Sequence, residues 1–125
     1  LEEVITEFKK FGIRTSIFVS TNLKFVEGAF LVGSDRIELY TERYARKFKK
    51  GNLQEVKSYI KASELANSLG MGVNAGHDLN LNNIEFFVES LPFLDEVSIG
   101  HALISESLYL GIENVINLYL QKMKR

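Results

Sequence analysis

The chain holds two histidines, and each follows a glycine: His77 in Asn74-Ala75-Gly76-His77-Asp78 and His101 in Ile99-Gly100-His101-Ala102. An imidazole exchanges protons near neutral pH, and a glycine permits a tight turn with close approach of a ligand. The segment after Gly100 has helical character, and the free N–H groups at a helix start attract phosphate. Glu38, in Arg36-Ile37-Glu38-Leu39-Tyr40, is a carboxylate set among alternating apolar residues. Acid–base work and phosphate binding are therefore the chemistry these residues could support. The plainer alternatives are a hydrogen-bonded loop histidine at His77 and an ordinary glycine turn at Gly100. The basic run Arg43, Arg46, Lys47, Lys49 and Lys50 reads as a solvated face before it reads as a phosphate site.

Other chemistry is excluded by what the sequence lacks. With no cysteine there is no disulfide, thiolate metal site or cysteine nucleophile. Two histidines cannot build a three-histidine zinc site. No Walker-type loop, GxGxxG or acidic metal cluster occurs. The 125 residues carry 15 basic and 16 acidic side chains, a formal charge of −1, which argues against a general electrostatic nucleic-acid binder. At 46% apolar and 25% charged the composition is that of a globular domain. No apolar stretch approaches the roughly 18 residues of a membrane span, and no basic, then apolar, signal segment opens the chain. These features suit a cytoplasmic protein.

The elements that must position these residues follow from periodicity. Val4, Ile5, Phe8 and Phe11 recur at helical spacing, and Gly12 ends that helix. A strand is expected at Ile13 to Val19, rich in β-branched and aromatic residues. Thr21 or Asn22 caps a helix running to about Val32, and Gly33 ends it. A second strand spans Arg36 to Tyr40, followed by a polar, basic excursion from Thr41 to Gly51. Asn52 then caps a long helix closed by Gly70. Further strands are expected at Met71 to Gly76 and Glu96 to Ile99, with a helix from Leu81 to about Leu91 between them. Ala102 to Met123 reads as helix broken at Gly111.

Strands alternating with helices in this way imply right-handed crossovers and a parallel sheet. Two α/β architectures compete: an open doubly wound sheet, or half of an eight-stranded barrel, for which about 250 residues is typical. The helix that starts without a cap at a residue other than methionine makes residues 1–125 read as half of one barrel domain, its other half lying outside the chain. On the strands, Ile13, Thr15, Ile17 and Val19, Ile37 and Leu39, Val73 and Ala75, and Val97 and Ile99 form one set of faces, suited to outer helices. The opposite set holds Arg14, Ser16, Arg36, Glu38, Asn74, Glu96 and Ser98. Buried singly, such charges cost several kcal/mol, so Arg14, Arg36 and Glu96 must pair with one another or with a ligand. Glu38 and the two glycine–histidine turns lie at strand carboxyl ends, where such barrels carry their chemistry.

Arg36-Ile37-Glu38-Leu39-Tyr40-Thr41, Val73-Asn74-Ala75-Gly76-His77-Asp78-Leu79 and Val97-Ser98-Ile99-Gly100-His101-Ala102-Leu103-Ile104 resemble the C-terminal half of the pyridoxine 5'-phosphate synthase family. The resemblance runs over nearly the whole chain in order and spacing. It implies a (β/α)8 barrel that joins 3-amino-2-oxopropyl phosphate to 1-deoxy-D-xylulose 5-phosphate, releasing phosphate and water, with no metal or organic cofactor. It also implies a cytoplasmic homo-oligomer, an octamer. By motif, His77 matches the family's proton donor and Glu38 its transition-state-stabilising glutamate. Gly100 and His101 match the pair whose backbone holds a substrate phosphate. Asp78 stands where the family commonly has a glycine contacting the aminoketone phosphate, and Tyr40 and Glu42 replace a histidine and a glycine. The family's other catalytic histidine and glutamate belong to the half outside this chain, so residues 1–125 alone are expected to be inactive.

Two further readings remain open on the sequence alone. One is another phosphosugar-handling barrel, an aldolase or isomerase, although no lysine occupies the strand-end positions named above. The other is a non-enzymatic, doubly wound interaction domain, which requires helices on both faces of the sheet.

Overall fold

The structure, a computed structural model, describes residues 1–124. Four parallel strands, β1 (Ser16–Val19), β2 (Arg36–Tyr40), β3 (Gly72–Gly76) and β4 (Leu94–Ser98), lie side by side in sequence order. Helix α1 (Glu2–Lys10) precedes β1, and α2 (Leu23–Leu31) crosses from β1 to β2. The β2–β3 crossover holds α3 (Glu42–Phe48), a 3-10 turn at Leu53–Glu55 and α4 (Val56–Ser68). Helix α5 (Ile84–Ser90) joins β3 to β4, and α6 (His101–Leu110) and α7 (Ile112–Lys122) follow. Among the described residues no helix is long and apolar enough to cross a membrane.

Alternation along each strand decides which face the helices cover. Ile37, Leu39, Val73 and Ala75 are fully buried beneath Val26 and Ala29 of α2, Tyr59, Ala62 and Ala66 of α4, and Tyr44 and Phe87. Ile17, Val97 and Ile99 pack against the same core. A second cluster, Ile84, Val88, Val115 and Tyr119, fixes α7 to α5. The opposite face carries Phe18, Tyr40, Glu96 and Ser98 in exposed positions. A doubly wound sheet would bury both faces, so that alternative is set aside.

The polar face is organised as the charges required. Arg14 Nη2 lies 3.1 Å from Glu96 Oε1, and Arg36 Nη1 lies 3.3 Å from Asp95 and 3.5 Å from Glu96 while donating to Asn74 Oδ1 at 2.9 Å. Small residues make room for the long ones. A Cβ added to Gly72 would stand 2.9 Å from Arg36 Cγ, and one on Gly76 would stand 2.5 Å from Glu38 Oε1. Thus β3 presents glycines where β2 presents its arginine and its glutamate.

Aspartates tie neighbouring strands at the end remote from the two glycine–histidine turns. Asp35 Oδ2 accepts from the Thr15 backbone N–H and hydroxyl, both at 2.8 Å, and Lys9 Nζ lies 3.2 Å from Oδ1. Asp95 Oδ2 accepts from the Val73 N–H at 2.8 Å, beside a register shift between β3 and β4.

Several expected boundaries move. The stretch expected as a polar, basic excursion contains α3, because Tyr44 turns inward on the far side of its charges and is fully buried. Arg43 pairs with Glu55 and Arg46 with Glu42, leaving those cations as solvated surface. Asn52 caps the 3-10 turn, accepting from the Gln54 N–H, and α4 begins after it. Strand β1 starts at Ser16, later than Ile13, and β4 runs two residues earlier at its start, with Phe93 in the left-handed region (φ 64°) turning the chain into it. Helix α5 begins at Ile84, since the preceding Asn80–Asn83 turn is held by side-chain bonds.

Among the described residues, strands β1 and β4 each pair on one side only. Exposed apolar side chains stand on the helices of both ends of the chain: Val4 and Phe8 on α1, Phe25 on α2, Leu108 on α6, and Ile112 and Ile116 on α7.

The Asp35 clip gives a stability prediction. The Thr15 backbone N–H, then the Thr15 hydroxyl and the Lys9 ammonium, hold the Asp35 carboxyl below its ordinary value against the opposing effect of burial. A lowered folded value means stability present above the unfolded pKa and lost as pH falls through the folded one. In a full-length protein carrying this chain, Asp35→Asn is expected to lower the unfolding free energy by about 1–2 kcal/mol at neutral pH. Denaturant titrations at descending pH should show the deficit narrowing below the carboxylate range.

Candidate functional site

The carboxyl ends of the parallel strands share one rim, and the residues singled out from the sequence gather there. Glu38, His77, Asp78, Gly100 and His101 all line a single cleft of about 1070 Å³, together with Phe18, Ser98 and the first turn of α6. Glu38 reaches it from β2, its carboxylate lying over Gly76 and beside Ser98. Only glycine at position 76 leaves space for that carboxylate.

His77 leaves β3 directly after Gly76. Its backbone has φ 88° and that of Asp78 has φ 58°, so two consecutive non-glycine residues occupy the left-handed region. Such residues cost of order 1–3 kcal/mol each and persist where their surroundings hold them. Aspartate adopts this region more readily than most residues, which accommodates Asp78 at a position suited to glycine. The His77 ring lies 4.4 Å from Tyr40 and, edge-on, 5.9 Å from Phe18, centroid to centroid. Tyr40 and Phe18 thus lie beside an otherwise exposed imidazole.

The turn is fixed from beneath by groups that sequence reasoning missed. Thr41, fully buried, donates its backbone N–H to the Gly76 carbonyl at 2.8 Å, and its hydroxyl faces the carbonyls of both Gly76 and His77. Asn83 Nδ2 donates to the Asp78 carbonyl at 3.1 Å, and Asn83 Oδ1 accepts from the Asn80 N–H. Tyr44 donates its hydroxyl to the Asn83 carbonyl at 2.7 Å. Tyr59 donates to the Tyr40 carbonyl and accepts from the Tyr44 N–H. Burial pushes the Tyr59 phenol up to about 12 and that of Tyr44 further, so both remain protonated donors at neutral pH. The one sequence signal for Thr41 was a threonine directly after a strand. Its partners are some 35 residues away and show no local pattern.

The second turn is positioned by α6 and α7. Gly100 precedes α6 with φ −106° and ψ −101°, and His101 is its first residue. Glu106 of α6 accepts from the Tyr119 hydroxyl at 2.6 Å and from the Leu81 N–H at 3.4 Å, joining α6 and α7 to the loop after β3. Burial, then the Glu106 carboxylate, raises the Tyr119 phenol well above its ordinary range, which keeps it a donor. Gly111 (φ 80°) breaks the chain between the two helices, so α6 is a short helix at the rim. Its first-turn residues Ala102 and Leu103 border the cleft.

Arg14, Arg36 and Glu96 stand apart from the cleft, engaged in the ion-pair layer below it. The basic side chains of residues 43–50 lie outside it as well, Arg46 and Lys49 bordering a neighbouring groove shared with Asp78. The arrangement combines a carboxylate, an imidazole and a helix start around one space, which is equipment for proton transfer beside a bound anion.

Comparison with known proteins identifies the family. The family described as "Pyridoxal phosphate biosynthesis protein PdxJ" matches residues 1–125. A curated pyridoxine 5'-phosphate synthase of Flavobacterium johnsoniae is 60% identical over 124 residues, covering 99% of this chain and 52% of that protein. That of Cytophaga hutchinsonii is 54% identical over 125 residues, covering 100% and 52%. That of Porphyromonas gingivalis is 53% identical over 120 residues, covering 96% and 50%. The chain spans about half the length of these relatives, and four parallel strands alternating with helices are what half of a (β/α)8 barrel contains. Matched along its whole length by the family profile, the chain belongs to the PdxJ family.

Proposed function

We propose that this chain forms the C-terminal half of a single (β/α)8 barrel whose complete form is a pyridoxine 5'-phosphate synthase. It would condense 3-amino-2-oxopropyl phosphate with 1-deoxy-D-xylulose 5-phosphate to pyridoxine 5'-phosphate, phosphate and water. The observation that carries this reading is the convergence of Glu38, His77 and the Gly100–His101 turn on one cleft at the carboxyl rim. The names of the relatives support it. In this reading the open edges of β1 and β4, and exposed apolar side chains of the first and last helices, are covered by the other half of the barrel.

Joining an amine to a ketone and expelling water needs a proton donor working near neutral pH. His77, held at the cleft beside Tyr40 and Phe18, protonates a departing hydroxyl. Glu38 stabilises the positive charge that develops on the nitrogen of the carbinolamine and imine. The Asp78 backbone and the start of α6 at Gly100 and His101 bind substrate phosphate. Phosphate binding remote from the reacting atoms supplies energy for holding them in place. The chemistry assigned to these side chains calls on no metal or organic cofactor. The other half supplies the remaining catalytic groups. The family resemblance supports a cytoplasmic homo-oligomer, with an octamer as the assembly. Among the described residues no lysine lines the cleft, so the geometry gives a Schiff-base aldolase no support.

In a full-length protein carrying this chain, His77→Asn should lower kcat for pyridoxine 5'-phosphate formation by about 10²–10⁴-fold. The KM for each substrate should change little, because asparagine preserves the polar character of the site. Turnover within a few-fold of the parent would remove the acid role of His77.

A further inference from the structure

Thr41 is the first residue before α3, where a threonine side chain ordinarily caps the helix by accepting from a first-turn N–H. Here no side-chain cap bond forms. The hydroxyl turns the other way, across to β3, where it faces the carbonyls of Gly76 and His77. The Gly76 carbonyl already receives the Thr41 backbone N–H at 2.8 Å. Among the described residues the His77 carbonyl has no such second donor, so the hydroxyl matters most to it.

The His77 carbonyl and the Asp78 N–H belong to one planar trans peptide and point in opposite directions. Gripping the oxygen from the buried side therefore sets the plane, and with it the direction of the Asp78 N–H away from Thr41. It also fixes the backbone that carries the His77 ring in its left-handed conformation. We propose that Thr41 is a positioning residue. Its hydroxyl, by holding the His77–Asp78 peptide, simultaneously places the His77 imidazole against Tyr40 and aims the Asp78 amide for an anionic oxygen of the substrate. This rests on the roles given to His77 and Asp78 under the proposed function. The placement of the ring, by contrast, stands on the geometry alone.

The test compares Thr41→Val, which keeps the shape and removes the hydroxyl, with Thr41→Ser, which keeps the hydroxyl, in a full-length protein carrying this chain. Thr41→Val should lower kcat by about 10- to 100-fold. It should also weaken apparent binding of the aminoketone phosphate, raising its KM several-fold, and leave that of the deoxyxylulose phosphate unchanged. Thr41→Ser should restore both parameters. The NMR shifts of the His77 ring protons, set in part by the Tyr40 ring, should move in the valine variant and return in the serine variant. If the valine variant does not fold, the serine variant decides alone: near-parental kcat and His77 shifts support the proposal, and a tenfold loss of kcat overturns it. Parental kinetics and unchanged His77 shifts in a folded valine variant would also overturn it. Shifted ring protons with unchanged kinetics would uphold the placement by Thr41 while contradicting the catalytic roles of His77 and Asp78.

Discussion

The site depends on the parallel pairing of four strands in sequence order. Because β1 to β4 run the same way and pair in sequence order, every strand exit falls on one rim, and residues far apart in sequence become neighbours there. Register also sets which side chain stands beside which. Glu38 of β2 is level with Asn74 of β3, one alternation before Gly76, so its carboxylate extends over the glycine toward the rim. A slip of one residue would turn Glu38 under the helices and Leu39 into the polar face. The burial of Ile37, Leu39, Val73 and Ala75 on the covered face is what makes such a slip costly.

On that frame stability and chemistry are separated along the strands. At the amino ends, Asp35 and Asp95 clip adjacent strands through backbone N–H groups, and Arg14, Arg36 and Glu96 form an ion-pair layer. At the carboxyl ends the bonds run instead from buried side chains to the loops. Thr41, Asn83 and Tyr44 hold the turn at His77 and Asp78, and Glu106 with Tyr119 holds α6 against the same loop. The strained backbone at His77 and Asp78 is sustained by this hydrogen-bonded floor, so a rigid scaffold presents two residues in a conformation they would not adopt alone.

Much of this was legible in the sequence where the signal is local. The alternation Arg36-Ile37-Glu38-Leu39-Tyr40 fixed β2 to the residue, Asn22 caps α2 as its position implies, and Gly111 divides the last helices. Glu38, His77, Asp78, Gly100 and His101 were read from strand-end position and motif, and all five reach the cleft. What escaped was set by distant partners. Helix α3 carries so many charges that Tyr44, its one fully buried side chain, gave no apolar stripe to read. The start of β4 depends on Phe93 taking a positive φ and on the shifted pairing near Val73, neither of which has a sequence signature. Thr41 looks like a helix cap until the fold brings the His77 carbonyl beside it.

The most direct measurement of the central claim is a crystal structure of a full-length protein carrying this chain, bound to 3-amino-2-oxopropyl phosphate. The account predicts the substrate in the cleft that Glu38 and His77 line, its phosphate about 2.7–3.2 Å from backbone amides of the Asp78 turn or the Gly100–His101 turn. A phosphate seated away from both turns, or Glu38 and His77 opening onto separate spaces once the barrel is complete, would contradict it.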